Sequence, residues 1–221
     1  MDIIKLNNIS KVYGKNNAKV GALKNISLNI KQGELISVVG KSGCGKSTLL
    51  NIIGGLDIAS SGEYTFKDKK VSNLKTNELA KFRSENIGFI VQHFALINDM
   101  TVFENVALPL KYNKKSSKEI KRTVMEILEE MEILEKASSY PTQISGGQCQ
   151  RVAISRALAC KPSVILADEP TGAVDEQTGL QILETFKRLN KQGITVIIAT
   201  HDKEIANSCN RVIEMKDGMI I

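Results

Sequence analysis

One octapeptide, at residues 40–47, constrains this 221-residue chain more than any other feature. It reads Gly-Lys-Ser-Gly-Cys-Gly-Lys-Ser and fits the pattern G-x-x-x-x-G-K-[ST] of a phosphate-binding loop. An apolar run at 35–39 precedes it, and a largely apolar stretch at 48–53 follows it. This is the strand–loop–helix context that the pattern needs, so the octapeptide predicts a nucleotide site rather than an ordinary glycine-rich turn.

The chemistry of this loop depends on its glycines and on its last two residues. The glycines let the backbone turn tightly and direct its N–H groups at an anion, and the following helix adds partial positive charge. We expect Lys46 to reach the β- and γ-phosphates and the Ser47 hydroxyl to ligate Mg²⁺. The predicted nucleotide contacts of the loop are Gly40, Lys41, Ser42, Gly43, Cys44, Gly45, Lys46, Ser47 and Thr48.

Composition adds only broad limits. The chain is 42% hydrophobic and 24% charged, which is typical of a globular domain with a sizeable core. Its net charge of +6 is compatible with a solvated surface, a polyanion site or attraction to acidic lipid. No apolar run approaches the ~20 residues that cross a bilayer, and the N-terminus lacks a signal-peptide pattern, so we expect a soluble chain. The four cysteines lack zinc-site spacing, which favours reduced thiols.

Strand and helix signals alternate around the loop. Helical signals cover 176–190 and 202–208, and residues 31–34 have the composition of a hairpin turn between two strands. This alternation predicts an α/β fold with a mostly parallel sheet, covered by helices on both faces, whose ligands bind at the carboxyl ends of the strands. The predicted strands are 3–6, 23–30, 35–39, 62–66, 87–91, 163–167, 194–199 and 211–215.

The middle of the chain has the period of a helix. Residues 116–119 read as a capping box, and an apolar stripe with helical spacing follows it. We therefore predict one domain over 1–221, with a catalytic core at 1–91 and 160–221 and a helical subdomain at 92–159. The stripe consists of Ile120, Val124, Ile127, Leu128, Met131 and Leu134.

Two adjacent carboxylates end the apolar strand at 163–167. In a phosphoryl-transfer site the first acid at a strand end steadies the Mg²⁺ shell, and we predict this role for Asp168. Its neighbour Glu169 is predicted to orient or deprotonate the attacking water. The alternative is an exposed acidic turn before Pro170, which the nearby phosphate loop disfavours.

Two further polar residues follow strands at the same predicted sheet edge. His201 follows the strand at 194–199 and is predicted to polarise the γ-phosphate or to fix the water, although a lone histidine at a strand end is more often structural. Gln92 follows the strand at 87–91, and its amide is predicted to touch Mg²⁺ or water; the alternative is a solvated helix cap.

A second anion-binding pattern lies at 144–151, where Ile-Ser-Gly-Gly-Gln-Cys-Gln-Arg precedes a helical stretch. This second site has no lysine and no carboxylate pair of its own. The economical explanation is a head-to-tail dimer in which each second site closes over the nucleotide of the partner.

The ordered set of motifs resembles the nucleotide-binding subunit of an ATP-binding cassette (ABC) transporter over essentially the whole chain. The resemblance implies the P-loop ABC-ATPase fold, with an antiparallel β subdomain and a helical subdomain. It also implies that Tyr13 stacks on adenine, for which the alternative is a plain aromatic residue at a strand end, and that Asp175 links the two sites of a dimer. The residues implied to contact the γ-phosphate across the dimer, or to complete that signature, are Ser145, Gly146, Gly147 and Gln148.

Segments 87–96, 104–110 and 166–173 are similar to the lipoprotein-release, macrolide-export and peptide-resistance branch of that family. Departures are mild: Ile144, Val174 and Cys149 replace residues usual in the family, and Lys41 adds a charge to the loop. None of these changes removes a functional group, so the resemblance implies an active ATPase.

The expected function is therefore that of a motor subunit that binds and hydrolyses MgATP as a homodimer. Its expected partner is a transmembrane permease subunit, which would hold it at the cytoplasmic face of the cell membrane, with lipoprotein, macrolide or antimicrobial peptide as cargo. The alternative is a soluble ABC-type ATPase that acts on nucleic acid or ribosomes. The chain has neither the long coiled coils nor the second cassette that such proteins carry, so no nucleic-acid partner is expected.

Overall fold

The computed structural model describes residues 1–14 and 18–221. The strands in that part of the chain are β1 (Asp2–Tyr13), β2 (Val20–Lys31), β3 (Leu35–Val39), β4 (Ser61–Phe66), β5 (Lys69–Lys70), β6 (Ile87–Val91), β7 (Val164–Asp168), β8 (Thr195–Thr200), β9 (Arg211–Lys216) and β10 (Met219–Ile220). The α-helices are α1 (Lys46–Ile53), α2 (Thr76–Asn86), α3 (Val102–Tyr112), α4 (Ser117–Glu130), α5 (Gly146–Leu158), α6 (Glu176–Lys191) and α7 (Lys203–Asn207).

The strands form two sheets. The six-stranded sheet has the order β10-β9-β3-β8-β7-β6, and all of its pairs are parallel except the β10–β9 edge pair. The four-stranded sheet, β2-β1-β4-β5, is antiparallel throughout. The predicted mostly parallel core with an antiparallel part is therefore confirmed.

Successive residues of the central strands face two different apolar cores, as the alternation of side chains along a strand requires. Ile36 and Val38 pack with α1 and with the antiparallel sheet, whereas Leu35 packs with the helical layer that includes α3, α5 and α6. Helices therefore lie on both faces, as expected, but the two faces are covered differently. One face is shared between helix α1 and a second sheet, because the long apolar strands β1 and β2 need a surface to cover.

The hairpin predicted at 31–34 is wrong. A tight turn does lie there, but it joins β2 of the antiparallel sheet to β3 of the parallel sheet. The backbone of Gly33, at φ +75°, is bound by side chains of other elements: its N–H donates to Thr195 Oγ1, and its carbonyl accepts from Asn190 Nδ2, both at 2.9 Å. Local composition favours a turn, but it does not specify which sheet the next strand will join.

The chain between β6 and β7 carries helices α3, α4 and α5. Ser116 caps α4 by accepting from the Glu119 N–H, and the apolar stripe of this helix is buried at Ile120, Val124 and Leu128. The helix ends at Glu130, so the last two positions of the predicted stripe lie beyond it. Within the residues that the structure describes, no helix is long and apolar enough to span a bilayer.

Candidate active site

The phosphate loop leaves the end of β3 at Val39 and enters α1 at Lys46, at the carboxyl edge of the parallel sheet. Gly45 immediately precedes the helix with φ +107°, which glycine adopts without a steric penalty. Gly40 lies so close to strand β9 that an added Cβ would overlap the Met215 carbonyl oxygen and the Cys44 sulfur. The loop therefore holds its shape through backbone conformations and contacts that exclude larger residues.

Lys46 is buried at the base of the loop, with only 7% of its surface exposed. Its ammonium donates to the carbonyl oxygens of Gly40, at 2.8 Å, and of Lys41, at 3.3 Å. A buried ammonium needs such partners, because an unpaired charge away from water is costly. The loop thus fixes a positive charge at the position where the motif places phosphate oxygens.

Asp168 ends β7, beside the loop. Burial and the negative charge of Glu169 raise the pKa of Asp168 above its ordinary value, and the Ser47 hydroxyl and the Lys46 charge act in the opposite direction. Its Oδ1 atom is buried, with no hydrogen-bond partner among the residues described. A carboxylate oxygen without a partner, next to a hydroxyl, suits a hard cation such as Mg²⁺, which prefers oxygen ligands and completes its shell with water and phosphate.

Glu169 points in a different direction because its backbone leaves the strand at φ +47°. Its N–H donates to the Ala199 carbonyl at 2.9 Å, which anchors this turn to β8. The Glu169 carboxylate lies 2.9 Å from Nδ1 of His201, and its side chain is 18% exposed against 74% for the histidine. The pair therefore presents a partly shielded base whose orientation is set by an exposed imidazole.

A cleft of about 790 Å³ brings most of the predicted residues together. Three cleft residues that sequence analysis did not single out, Ala22, Val91 and His93, complete its wall. The predicted residues that line it are Ser42, Gly43, Gly45, Lys46, Ser47, Thr48, Gln92, Asp168, Glu169 and His201.

Gly40, Lys41 and Cys44 line a neighbouring cleft on the outer side of the loop. The thiol of Cys44 is only 6% exposed and packs into the core beneath α1. Its backbone N–H donates to the Lys41 carbonyl at 3.2 Å, within the loop. The side chain of Cys44 thus supports the loop from behind rather than facing the main cleft.

Tyr13 lies at the end of β1 and is not part of the cleft lining. It is 41% exposed, and its hydroxyl donates to Asp57 Oδ2 at 2.6 Å. Burial and the bond to Asp57 raise the pKa of Tyr13, while the Thr48 hydroxyl acts against them. Because Thr48 belongs to α1, the tyrosine is near the phosphate loop although it is distant in sequence.

The second glycine-rich segment lies outside the cleft of its own chain. Ser145 caps α5 reciprocally with Gln148: its hydroxyl accepts from the Gln148 N–H at 3.3 Å, and its own N–H donates to Gln148 Oε1 at 3.0 Å. Ser145 and Gly146 are exposed. Asp175 is also exposed and caps α6, where hydrogen bonds from Thr178 lower the pKa of its carboxyl.

Two polar residues of α5, the half-buried Arg156 and the buried Gln150, connect this helix to the site, and sequence analysis missed both. The Arg156 guanidinium donates to the carbonyl oxygens of Phe94 and Ala95, in the loop that follows Gln92. Gln150 donates from Nε2 to the Pro170 carbonyl at 2.7 Å, next to Glu169. Neither contact has a local sequence signal, because the partners lie 20 to 62 residues away.

Comparison with known proteins agrees with this geometry. A family model described as ABC transporter matches residues 23–172. This chain belongs to the ABC transporter family. It is an ATPase domain of that family, so the recognition, the fold class and the enzyme class expected from its sequence are confirmed.

Its relatives include proteins of similar length and proteins about three times as long. Uncharacterized ABC transporter ATP-binding protein MJ1508 of Methanocaldococcus jannaschii is 43% identical, over 99% of this chain and 98% of the relative. Macrolide export ATP-binding/permease protein MacB of Campylobacter jejuni is 46% identical over 99% of this chain, which spans only 34% of that relative.

One solved structure is described as the dimeric structure of a post-hydrolysis state of the ATP-binding cassette MJ0796 bound to ADP and Pi. It matches with a TM-score of 0.91 and 45% identity, over 98% of this chain and 96% of the other.

Proposed function

We propose that two copies of this chain bind MgATP between them and hydrolyse it to drive a membrane permease. The observation that carries the proposal is the single cleft that gathers the phosphate loop, both carboxylates, Gln92 and His201 at the carboxyl edge of the sheet. Ligands of open α/β sheets bind at this edge.

Each cleft residue receives a proposed role. Lys46 and the loop N–H groups hold the triphosphate, and Ser47, Asp168 and Gln92 would hold Mg²⁺. When bound, the ion neutralises negative charge on the phosphate oxygens. Ser47, with its hydroxyl, and Asp168, with its buried Oδ1 that lacks a partner, suit this ion.

Hydrolysis is proposed to depend on the Glu169–His201 pair. Glu169 accepts a proton from a water molecule while the oxygen of that water bonds to the γ-phosphorus. The bond between the γ-phosphorus and the leaving ADP oxygen breaks. His201, 2.9 Å from the Glu169 carboxylate, orients this base and faces the γ-phosphate. Gln92 packs against the turn after Glu169, because a Cβ added to Gly172 would lie only 2.7 Å from Gln92 Nε2. We therefore propose that the loop after β6 changes position when the nucleotide in the site changes.

The proposed dimer follows from what lies outside the cleft. Ser145, Gly146, Gly147 and Gln148 lie at the start of α5, outside the cleft of their own chain, so a partner's nucleotide is their proposed ligand. Asp175 would lie between the two sites. The similar cassette MJ0796 is described as dimeric, which supports this arrangement.

A permease partner and an export direction are also proposed. The MacB relatives are named as ATP-binding/permease proteins, and this chain matches only about a third of their length. We propose that a permease holds this chain at the cytoplasmic face of the membrane, and that the cargo is a macrolide, an antimicrobial peptide or a lipoprotein. The helical subdomain, proposed to span 92–159, would transmit closure to it.

The test uses Glu169→Gln, which keeps the shape of the base but cannot accept the proton. This variant should bind ATP, hydrolyse it at least ~100-fold more slowly, and elute as a dimer in MgATP but not in MgADP. Lys46→Ala is the matched control and should remain monomeric in both. A Glu169→Gln protein that stays monomeric at saturating ATP would contradict the dimer.

A further inference from the structure

The ring of Tyr13 is held by two residues that no motif points to. Its hydroxyl donates to Asp57 Oδ2 at 2.6 Å, and the Lys11 ammonium lies 4.8 Å from the ring centroid, over one face. Lys11 and Tyr13 are two positions apart on β1, so their side chains lie on the same side of the strand. Tyr13 remains 41% exposed, so these contacts hold its ring while part of the side chain stays accessible to solvent.

Asp57 and Lys11 also fix each other. The Lys11 ammonium binds Asp57 Oδ1 and donates to the Ile58 carbonyl at 2.7 Å, and the Ile58 N–H donates to Asp57 Oδ1 at 2.7 Å. Both oxygens of the carboxylate are thus engaged, one with the ring hydroxyl and one with the lysine and the backbone. The Lys11 side chain is only 12% exposed, so this is a sheltered pair rather than a mobile surface contact.

The same carboxylate belongs to the segment that leaves the phosphate-loop helix. The Leu56 and Asp57 N–H groups donate to the Asn51 carbonyl in α1, at 2.8 and 3.2 Å. Asp57 therefore connects the last turn of α1 with the end of β1. The contacts of Asp57 therefore join the tyrosine side chain, which also lies near Thr48 in the first turn of α1, to the segment that follows this helix.

We infer that Asp57, supported by Lys11, is a positioning residue that fixes the Tyr13 ring for stacking on the nucleobase. The inference rests on the proposed function, in which ATP is the substrate. It adds a source of selectivity: the fixed ring favours a triphosphate that carries a base over a polyphosphate that carries none.

The energetics favour this role. Burial alone would raise the pKa of Asp57, but hydrogen bonds from Lys11, Tyr13 and the Ile58 backbone outweigh it and lower the pKa. The carboxylate is therefore charged at neutral pH, and hydrogen bonds to a charged acceptor are the stronger kind. A ring that is already ordered does not lose that freedom again when the ligand binds, so more of the stacking energy appears as affinity.

The test measures two dissociation constants on the full chain, one for MgATP and one for inorganic tripolyphosphate. Base–aromatic stacking is worth enough that loosening the ring should weaken ATP binding about three- to tenfold. We expect this loss for Asp57→Ala and for Tyr13→Phe, and no further loss in the double variant, because both remove the same bond. Asp57→Asn keeps one acceptor and should recover part of the affinity. Tripolyphosphate binding should stay the same in every variant.

Asp68→Asn is the matched control, since Asp68 is exposed in the turn between β4 and β5 and the change removes the same charge. Unchanged ATP affinity in Tyr13→Phe and Asp57→Ala would overturn the inference, as would an equal loss for ATP and tripolyphosphate. If Asp57→Ala does not fold, Tyr13→Phe decides alone, because it removes only a hydroxyl. A wild-type chain that fails to bind ATP would overturn the proposed function as well, whereas normal binding with unaffected variants overturns this inference only.

Discussion

Asp168 and Glu169 are adjacent in sequence, but the backbone turn at Glu169 directs the two carboxylates to different surroundings. Asp168 continues the strand and is half-buried at its end, whereas the backbone of Glu169 turns at φ +47° and its carboxylate contacts His201. Burial raises the pKa of Asp168, so its ionisation is less favourable than that of a carboxyl in water. The ionised Asp168 therefore lowers the free energy of unfolding of the cation-free protein, and a bound cation would remove this destabilisation. Active sites are often less stable than the rest of a protein in this way.

Asp168→Asn tests this cost directly. At pH values between the ordinary pKa of an aspartate, about 3.9, and the raised pKa of Asp168 in the folded protein, Asp168 is protonated in the folded state but ionised in the unfolded chain. Stability of the magnesium-free protein should therefore fall as pH rises through that window, and the neutral variant should lack this slope and melt higher at pH 7. Its MgATP hydrolysis should fall at least ~100-fold, as expected for a lost metal ligand. A lower melting temperature at pH 7 in EDTA would contradict the argument.

At the residue scale, sequence could foresee the groups that perform chemistry but not those that hold them. Lys46, Ser47 and Asp168 stand in motifs whose spacing is dictated by phosphate and cation geometry, and all line one cleft. Asp57 supports Tyr13 from 44 positions away, through a contact that only the folded sheet creates. A contact of this kind has no fixed separation along the sequence, so no sequence motif predicts it.

Helix α5 links the elements around the site. It begins at the exposed Ser145–Gly146 segment, and further along Arg156 binds the two carbonyls at Phe94 and Ala95, both residues with positive φ. Partial burial lowers the pKa of Arg156, and the two carbonyls provide hydrogen-bond partners for its guanidinium. The loop after Gln92 should therefore follow α5 whenever that helix moves.

Arg156→Met removes these donors while keeping an apolar side chain of similar length. Hydrogen bonds from a charged donor are worth about 1.5–3 kcal/mol, so the free energy of unfolding should fall by about 2 kcal/mol. Amide hydrogen exchange at 93–97 should accelerate more than exchange in β6. Arg122→Met, on the exposed side of α4, is the control and should change stability by less than about 0.5 kcal/mol. Faster exchange spread evenly over the protein would instead indicate a general packing defect.

At the scale of helices and strands, the sequence predicts an element best where its hydrophobic pattern and a motif indicate the same structure. β3, the loop and α1 follow from hydrophobic pattern and motif together, and the start of β9 and the whole of β3 match their predicted positions. Helix α2 had no comparable signal: only Leu79 and Phe82 of its residues are buried, too few to mark an apolar face. The 31–34 turn was recognised, but the sheet it leads into depends on contacts with Thr195 and Asn190 far along the chain.

On the scale of the whole molecule, the parallel sheet collects the reacting groups while the α5 start is left facing outward. Gly146 shows how this surface is built: an added Cβ would find its nearest heavy atom, the Ala173 carbonyl oxygen, at 3.6 Å, which is an ordinary contact. At Gly147 an added Cβ would lie 2.7 Å from Thr178 Cγ2. A side chain at position 146 is therefore tolerated by the monomer, so the fold alone does not require glycine there, whereas a nucleotide held by a partner would.

Gly146→Asp and Lys46→Ala together test the proposed exchange of half-sites. Each variant alone should be inactive, the first because a carboxylate repels the partner's triphosphate, the second because its own loop no longer holds one. Mixed in equal amounts, they should form heterodimers, each with one intact site made of the loop of the Gly146→Asp chain and the α5 start of the Lys46→Ala chain. Hydrolysis should recover to at most about half of the wild-type rate if the sites act independently, because each heterodimer has one intact site of two, and it should rise and fall with the product of the two concentrations. A mixture no more active than its two components, with both variants shown to fold by thermal melting, would show that residues 145–147 do not act on the partner's nucleotide.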